Sequence, residues 1–109
     1  MNSENQTKSE AFSFTETIAY QKDGIVSKKI IQKEKGNITL FAFDAGQKLS
    51  EHTAPFDALV QVLEGNAEIV INGVTNKLSA GLSIVMPANI PHAVNAQEKF
   101  IMLLTMIRE

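Results

Sequence analysis

The chain has no cysteine and no tryptophan, which excludes thiol catalysis, disulfides and every thiolate metal site. Histidine is nearly as scarce: His52 and His92 are the only two, beside the single tyrosine, Tyr20. Any imidazole chemistry therefore passes through those two positions. Neither sign of charge dominates, since 10 Lys+Arg against 12 Asp+Glu leave a net charge of -2, and a basic footprint for nucleic acid is missing. No apolar run reaches the length of a membrane span. The opening Met1-Asn2-Ser3-Glu4-Asn5-Gln6-Thr7 has neither the basic nor the apolar part of a secretory signal. A cytoplasmic protein with no nucleic-acid and no membrane partner is expected. The six glycines are isolated turn residues, so no phosphate-cradling loop occurs, and no serine sits in a nucleophile elbow.

What is present is an ordinary globular composition, 44% apolar and 20% charged over 109 residues, enough for one domain with one core. Residues 1–10 are polar and expected to form a disordered tail, leaving 11–109 as the domain. Phe12 to Tyr20 is expected to form one short helix, with Phe14, Ile18 and Ala19 on its apolar face and Ser13 or Thr15 as its cap. From Gly24 onward the pattern is β. Strands are expected over Ile25–Ile31, Ile38–Phe43, Leu49–Thr53, Ala58–Leu63, Asn66–Ile71, Val74–Leu78, Ser83–Met86, His92–Asn95 and Phe100–Ile107, with Glu64-Gly65 ending one of them. Asn72-Gly73 between two strands is a strong hairpin signal, because both central residues of a type I′ turn need positive φ. Short strands punctuated by turns predict an all-β antiparallel sandwich or barrel. The last strand is apolar on both faces and should be covered on both sides. A second subunit is the first candidate for that cover, which makes a homodimer the expected assembly; burial under the N-terminal helix is the alternative.

His52 and His92 each follow a turn, at or near the start of an expected strand, where a lone histidine is usually structural or solvated. The pattern around them changes that reading. Gly46, five residues, then His52, followed by Gly65 after Val60-Gln61-Val62-Leu63-Glu64, resembles the first cupin motif. Gly81, five residues, Pro87, then His92 resembles the second. The resemblance covers about Ile38 to Met106 and implies a small jelly-roll β-barrel of the conserved-barrel cupin type. It also implies where metal ligands would stand: His52, Ala54 and Ala58 in the first motif, His92 in the second. Two of the four usual ligands are thus replaced by alanine, which has no lone pair to donate. The second motif departs further, with Asn89 where a glycine is usual and Ala96 where an asparagine is usual.

A divalent ion (Ni, Zn, Fe or Mn) held by His52 and His92 alone would be an incomplete set, since catalytic sites normally have at least three protein ligands. Strand alternation puts Ser50 on the face of His52 and puts Val60 and Val62 on the face of Ala58; Glu51, Asp57 and Gln61 fall on the opposite one. A β-bulge would be needed to turn Asp57 or Gln61 inward. The alternative to a metal centre is a ligand pocket holding two imidazoles and an apolar wall, with Ala54, Ala58, Val60, Val62, Met86, Ile84 and Val94 as lining residues, in which His52 and His92 are expected to donate hydrogen bonds to a ligand carboxylate or carbonyl. Three functions follow: a small-molecule-binding barrel without a full metal site, a metal-dependent oxygenase or isomerase with a non-standard ligand set, or a structural, partner-binding dimer.

Overall fold

The structure is a computed structural model and describes residues 9–109. The tail expected over residues 1–10 therefore lies, up to residue 8, outside the described residues. Eight strands follow one another: β1 (Ile25–Lys33), β2 (Gly36–Phe43), β3 (Lys48–His52), β4 (Asp57–Ile71), β5 (Val74–Ser79), β6 (Ser83–Met86), β7 (His92–Asn95) and β8 (Phe100–Ile107). Every pairing is antiparallel. The path β1-β2-β8-β4-β7-β3 forms one curled sheet, with β5 and β6 also paired to β4.

β4 organises the barrel. Its first part pairs with β8 and β6 and its second part with β7 and β5, so one strand belongs to both walls. Two separate strands were expected here, broken at Glu64-Gly65. Instead Gly65 bends a continuous strand: its φ is +78 and a Cβ would collide with the Lys99 carbonyl. Only glycine allows both that conformation and that approach. The bend turns the two walls toward each other around a core that takes Phe43, Val60, Val62 and Met102 from one wall and Ile69 and Val94 from the other. The Asn72-Gly73 hairpin has the two positive φ angles its sequence demands, 50 and 80.

The short N-terminal helix is not formed. Residues 13–17 make a single turn, with Glu16 N donating to Ser13 O and Thr17 N to Phe14 O, both at 3.2 Å. Three Ser/Thr residues in five work against a helix too short to recover its nucleation cost. The extended chain instead spreads Phe14, Ile18 and Tyr20 over the outer face of the sheet, against Leu40, Ile101 and Leu103. The outer side of β8 is thus covered over residues 101–103 by this segment. Lys28 Nζ holds the segment from below through Thr17 Oγ1 at 2.8 Å. Tyr20 OH donates to Glu64 at 2.6 Å, and Lys99 lies over the Tyr20 ring at 5.3 Å. No helix among the described residues is long and apolar enough to cross a membrane.

Candidate functional site

His52 ends β3 and His92 begins β7, and the two are directly paired across those strands. Between the Leu49–Val94 pair and the His52–His92 pair β3 carries one residue more than β7. That bulge changes the alternation expected for β3: Leu49, not Ser50, shares the inner face with His52, and Leu49 packs against the core. Ser50 contributes its carbonyl instead, which accepts from His52 Nδ1 at 2.7 Å. His92 Nδ1 donates in the same way to Ile90 O at 3.2 Å. A carbonyl oxygen only accepts, so both Nδ1 atoms carry a proton, and with both rings neutral both Nε2 atoms present lone pairs. These face each other at 3.1 Å, with the rings at 68°.

Two lone pairs at that distance repel unless something lies between or beside them: a proton, a ligand O–H or N–H, or a cation. Burial, partly opposed by the Ile90 carbonyl and helped by the neighbouring His52, holds His92 below the ordinary histidine range. His92 is 9% exposed and His52 is open to solvent. One imidazole is therefore anchored inside and the other forms the rim.

The loop from Pro87 to Pro91 fixes this end of the barrel. Asp57 accepts from Ala88 N at 2.9 Å, Asn89 N donates to Ala54 O at 2.8 Å, and Asn72 N donates to Pro91 O at 2.8 Å. Asn89 has φ +62, so asparagine fills a left-handed position where glycine is usual, as it does more readily than most residues. Ala96 needs no side chain for its role: its N donates to Gln47 O at 2.9 Å and its O accepts from Gly46 N at 2.7 Å. The donors that a bulge would have had to turn inward stay outside. Asp57 is engaged with the loop, and Gln61 lies opposite Leu103 on the outer face.

The remaining residues of interest fall at two depths. Ala58 and Met86 are paired across β4 and β6 and lie at the histidine end. Val60, Val62 and Val94 are deeper, at 0%, 1% and 2% exposure, and form packed floor. Ala54 and Ile84 are half-buried. Two imidazoles converge, the neighbouring motif places are Ala54 and Ala58, and among the described residues no three His, Asp or Glu side chains are grouped to hold an ion. Alternation along the strands overlooked the opposite inner wall, where Gln32, Asn37 and Thr39 are polar. The signal was there in β2, in which Asn37 and Thr39 alternate with Ile38 and Leu40.

Among curated proteins none matches the chain. A conserved protein of unknown function from Streptococcus pyogenes is 37% identical over 94% of this chain and 90% of its own, with a TM-score of 0.90. A cupin 2 conserved barrel domain protein from Leptotrichia buccalis is 41% identical over 89% of this chain, which spans only 47% of that one, with a TM-score of 0.86. The salicylate 1,2-dioxygenase of Pseudoaminobacter salicylatoxidans shares the fold at 21% identity and a TM-score of 0.71, over 77% of this chain and 25% of its own. The model of the cupin domain matches residues 39–108, from the second strand to the last and across both histidines. That match spans well over half of the chain, and the chain belongs to the cupin family.

Proposed function

We propose that this cupin barrel binds a small molecule at its mouth, through His52 and His92, without a complete catalytic metal centre. The observation that carries the reading is the facing pair of Nε2 atoms at 3.1 Å, with both Nδ1 atoms already committed to backbone carbonyls. So disposed, the histidines accept hydrogen bonds rather than donate them. A ligand hydroxyl or amine inserted at the pair would relieve the repulsion of the lone pairs and supply a proton to share. In this reading the methyl side chains of Ala54 and Ala58 would leave room in front of the imidazoles, with Met86 as an apolar side and Val60 and Val62 as the floor. Isothermal titration of small hydroxyl- and amine-bearing compounds tests this. Binding lost in the double variant His52→Ala, His92→Ala is the expected result; binding unchanged in that variant would overturn it.

A second reading is favoured by one distance. Two imidazole nitrogens bound to one ion at ordinary metal–nitrogen lengths sit about 2.9–3.4 Å apart, which brackets 3.1 Å. The carbonyl bond at each Nδ1 is also the usual way to orient a ligating histidine. The missing third protein ligand weighs against tight binding, so an ion held here would be weakly held and easily exchanged.

The same proposal includes a homodimer. The outer face of the sheet carries a row across five strands, Val85–Leu59–Thr105–Ile38–Ile31, apolar except at Thr105, of which Val85 is 56% and Ile31 42% exposed. The adjacent row runs Asp57–Ile107–Gly36–Lys33, acidic at one end and basic at the other. A twofold axis parallel to the strands would set Lys33 of one copy opposite Asp57 of its partner, with the apolar rows between them.

A further inference from the structure

The inner face of the barrel opposite the histidines is not uniformly apolar. Reading across the hydrogen-bonded register, Gln32 on β1 lies opposite Asn37 on β2, Asn37 opposite Met106 on β8, Met106 opposite Ala58 on β4, and Ala58 opposite Met86 on β6. Directly opposed residues point to the same side of a sheet. Met106, Ala58 and Met86 belong to the interior core, so Gln32 and Asn37 face inward with them. Thr39, one step deeper on β2, is buried, and its hydroxyl donates to Asn37 Oδ1 at 3.0 Å.

This row lies at the same end of the barrel as the histidine pair. The β1–β2 turn, the end of β8, the start of β4 and the end of β6 all meet there, and the Pro87–Pro91 loop ties Asp57 and Ala54 to the start of β7. Ile25 on β1 and Leu49 on β3, the two free edges of the curled sheet, reach one core. The polar row and the histidines thus occupy facing walls of one mouth.

Within that row Gln32 Oε1 is buried and has no hydrogen-bond partner among the described residues. Buried side-chain acceptors are nearly always paired, and one left over calls for a partner of its own. Asn37 Oδ1 accepts only from Thr39 and keeps a second lone pair. Both walls therefore offer acceptors: two imidazole nitrogens on one side, carboxamide oxygens on the other.

We infer that Gln32, Asn37 and Thr39 form a second polar wall of the ligand site, and that the ligand is a small polyhydroxylated molecule reaching from this wall to the histidine pair. A hydroxyl is favoured over an aliphatic amine, which is protonated near neutral pH and only donates, because a hydroxyl both donates and accepts and so pairs with a carboxamide turned either way and with an imidazole nitrogen. The inference rests on the small-molecule reading of the histidines and adds the second wall and the ligand class to it.

Titration of the isotope-labelled full chain by NMR tests it, with D-glucose, ethanolamine and acetate as probes. The Gln32 side-chain amide is identified by its loss in Gln32→Leu. The expected result is that glucose moves the Gln32 amide and both histidine rings with one common dissociation constant. Glucose should also bind at least fivefold more weakly to Gln32→Leu and to the isosteric Thr39→Val. Acetate should move neither wall. Since Gln32→Leu removes an unpaired buried acceptor, its melting temperature should not fall, which separates a binding role from a structural one. Histidine rings that respond while the Gln32 amide does not would overturn the second wall and leave the histidine reading standing. No response at either wall to any probe would overturn both. A stronger response to ethanolamine than to glucose would overturn the polyhydroxyl assignment.

Discussion

His92 shows how one buried ring sets the chemistry of the mouth. Its pKa is held below the ordinary value of about 6.5, first by burial. Protons then bind the unfolded chain more readily than the folded one, so stability falls as pH drops from about 6.5 toward the lowered native value and is unaffected above that window. Urea unfolding from pH 7.5 to 5 should show this loss in the native chain and a flatter dependence in His92→Asn. Gly65 makes a different demand on its residue. A side chain there needs positive φ and meets the Lys99 carbonyl, so Gly65→Ala should cost about 2 kcal/mol or more, read by the same unfolding experiment.

At the scale of elements, the N-terminal segment is a strap rather than a helix. It is held by Tyr20 to Glu64, Lys28 to Thr17 and Lys99 over the Tyr20 ring. Burial, and then the bond to Glu64 and its charge, push the Tyr20 hydroxyl far above its ordinary value, so it remains a donor at every pH of interest. Tyr20→Phe should destabilise the fold by about 0.5–1 kcal/mol, the usual net worth of such a bond. Strand positions and the hairpin at Asn72-Gly73 were legible because alternation and turn chemistry are local. Three features were not. The bulge in β3 is one extra residue without a composition signature, and it exchanges Leu49 for Ser50 on the inner face. The continuity of β4 through Gly65 depends on what lies beside the glycine, namely Lys99 and Phe100 from the far end of the chain. Phe12 to Tyr20 carries helix-like spacing, but the sheet offers its apolar residues a wider surface than a single helical face. For the site, the motif glycines and Pro87 led to His52 and His92, whereas their contact at 3.1 Å and the polar row from Gln32 exist only once the sheet has curled.

For the whole molecule, the covered and uncovered parts of the outer face separate two roles. The strap covers Leu40, Ile101 and Leu103; beyond it Val85 and Ile107 stand open at 56% and 60% exposure. An isologous dimer through that face predicts that the double variant Val85→Asp, Ile107→Asp sediments as a monomer and keeps the native melting profile, whereas an unchanged dimer would place the interface elsewhere. Metal stoichiometry decides whether the two histidines receive a ligand or complete a catalytic metal centre. The chain would be incubated with Mn, Fe, Co, Ni, Cu and Zn in turn and dialysed, beside His52→Ala, His92→Ala. Well under one ion per chain is the expected result for every metal. One tightly retained ion per chain, lost in the double variant, would contradict it.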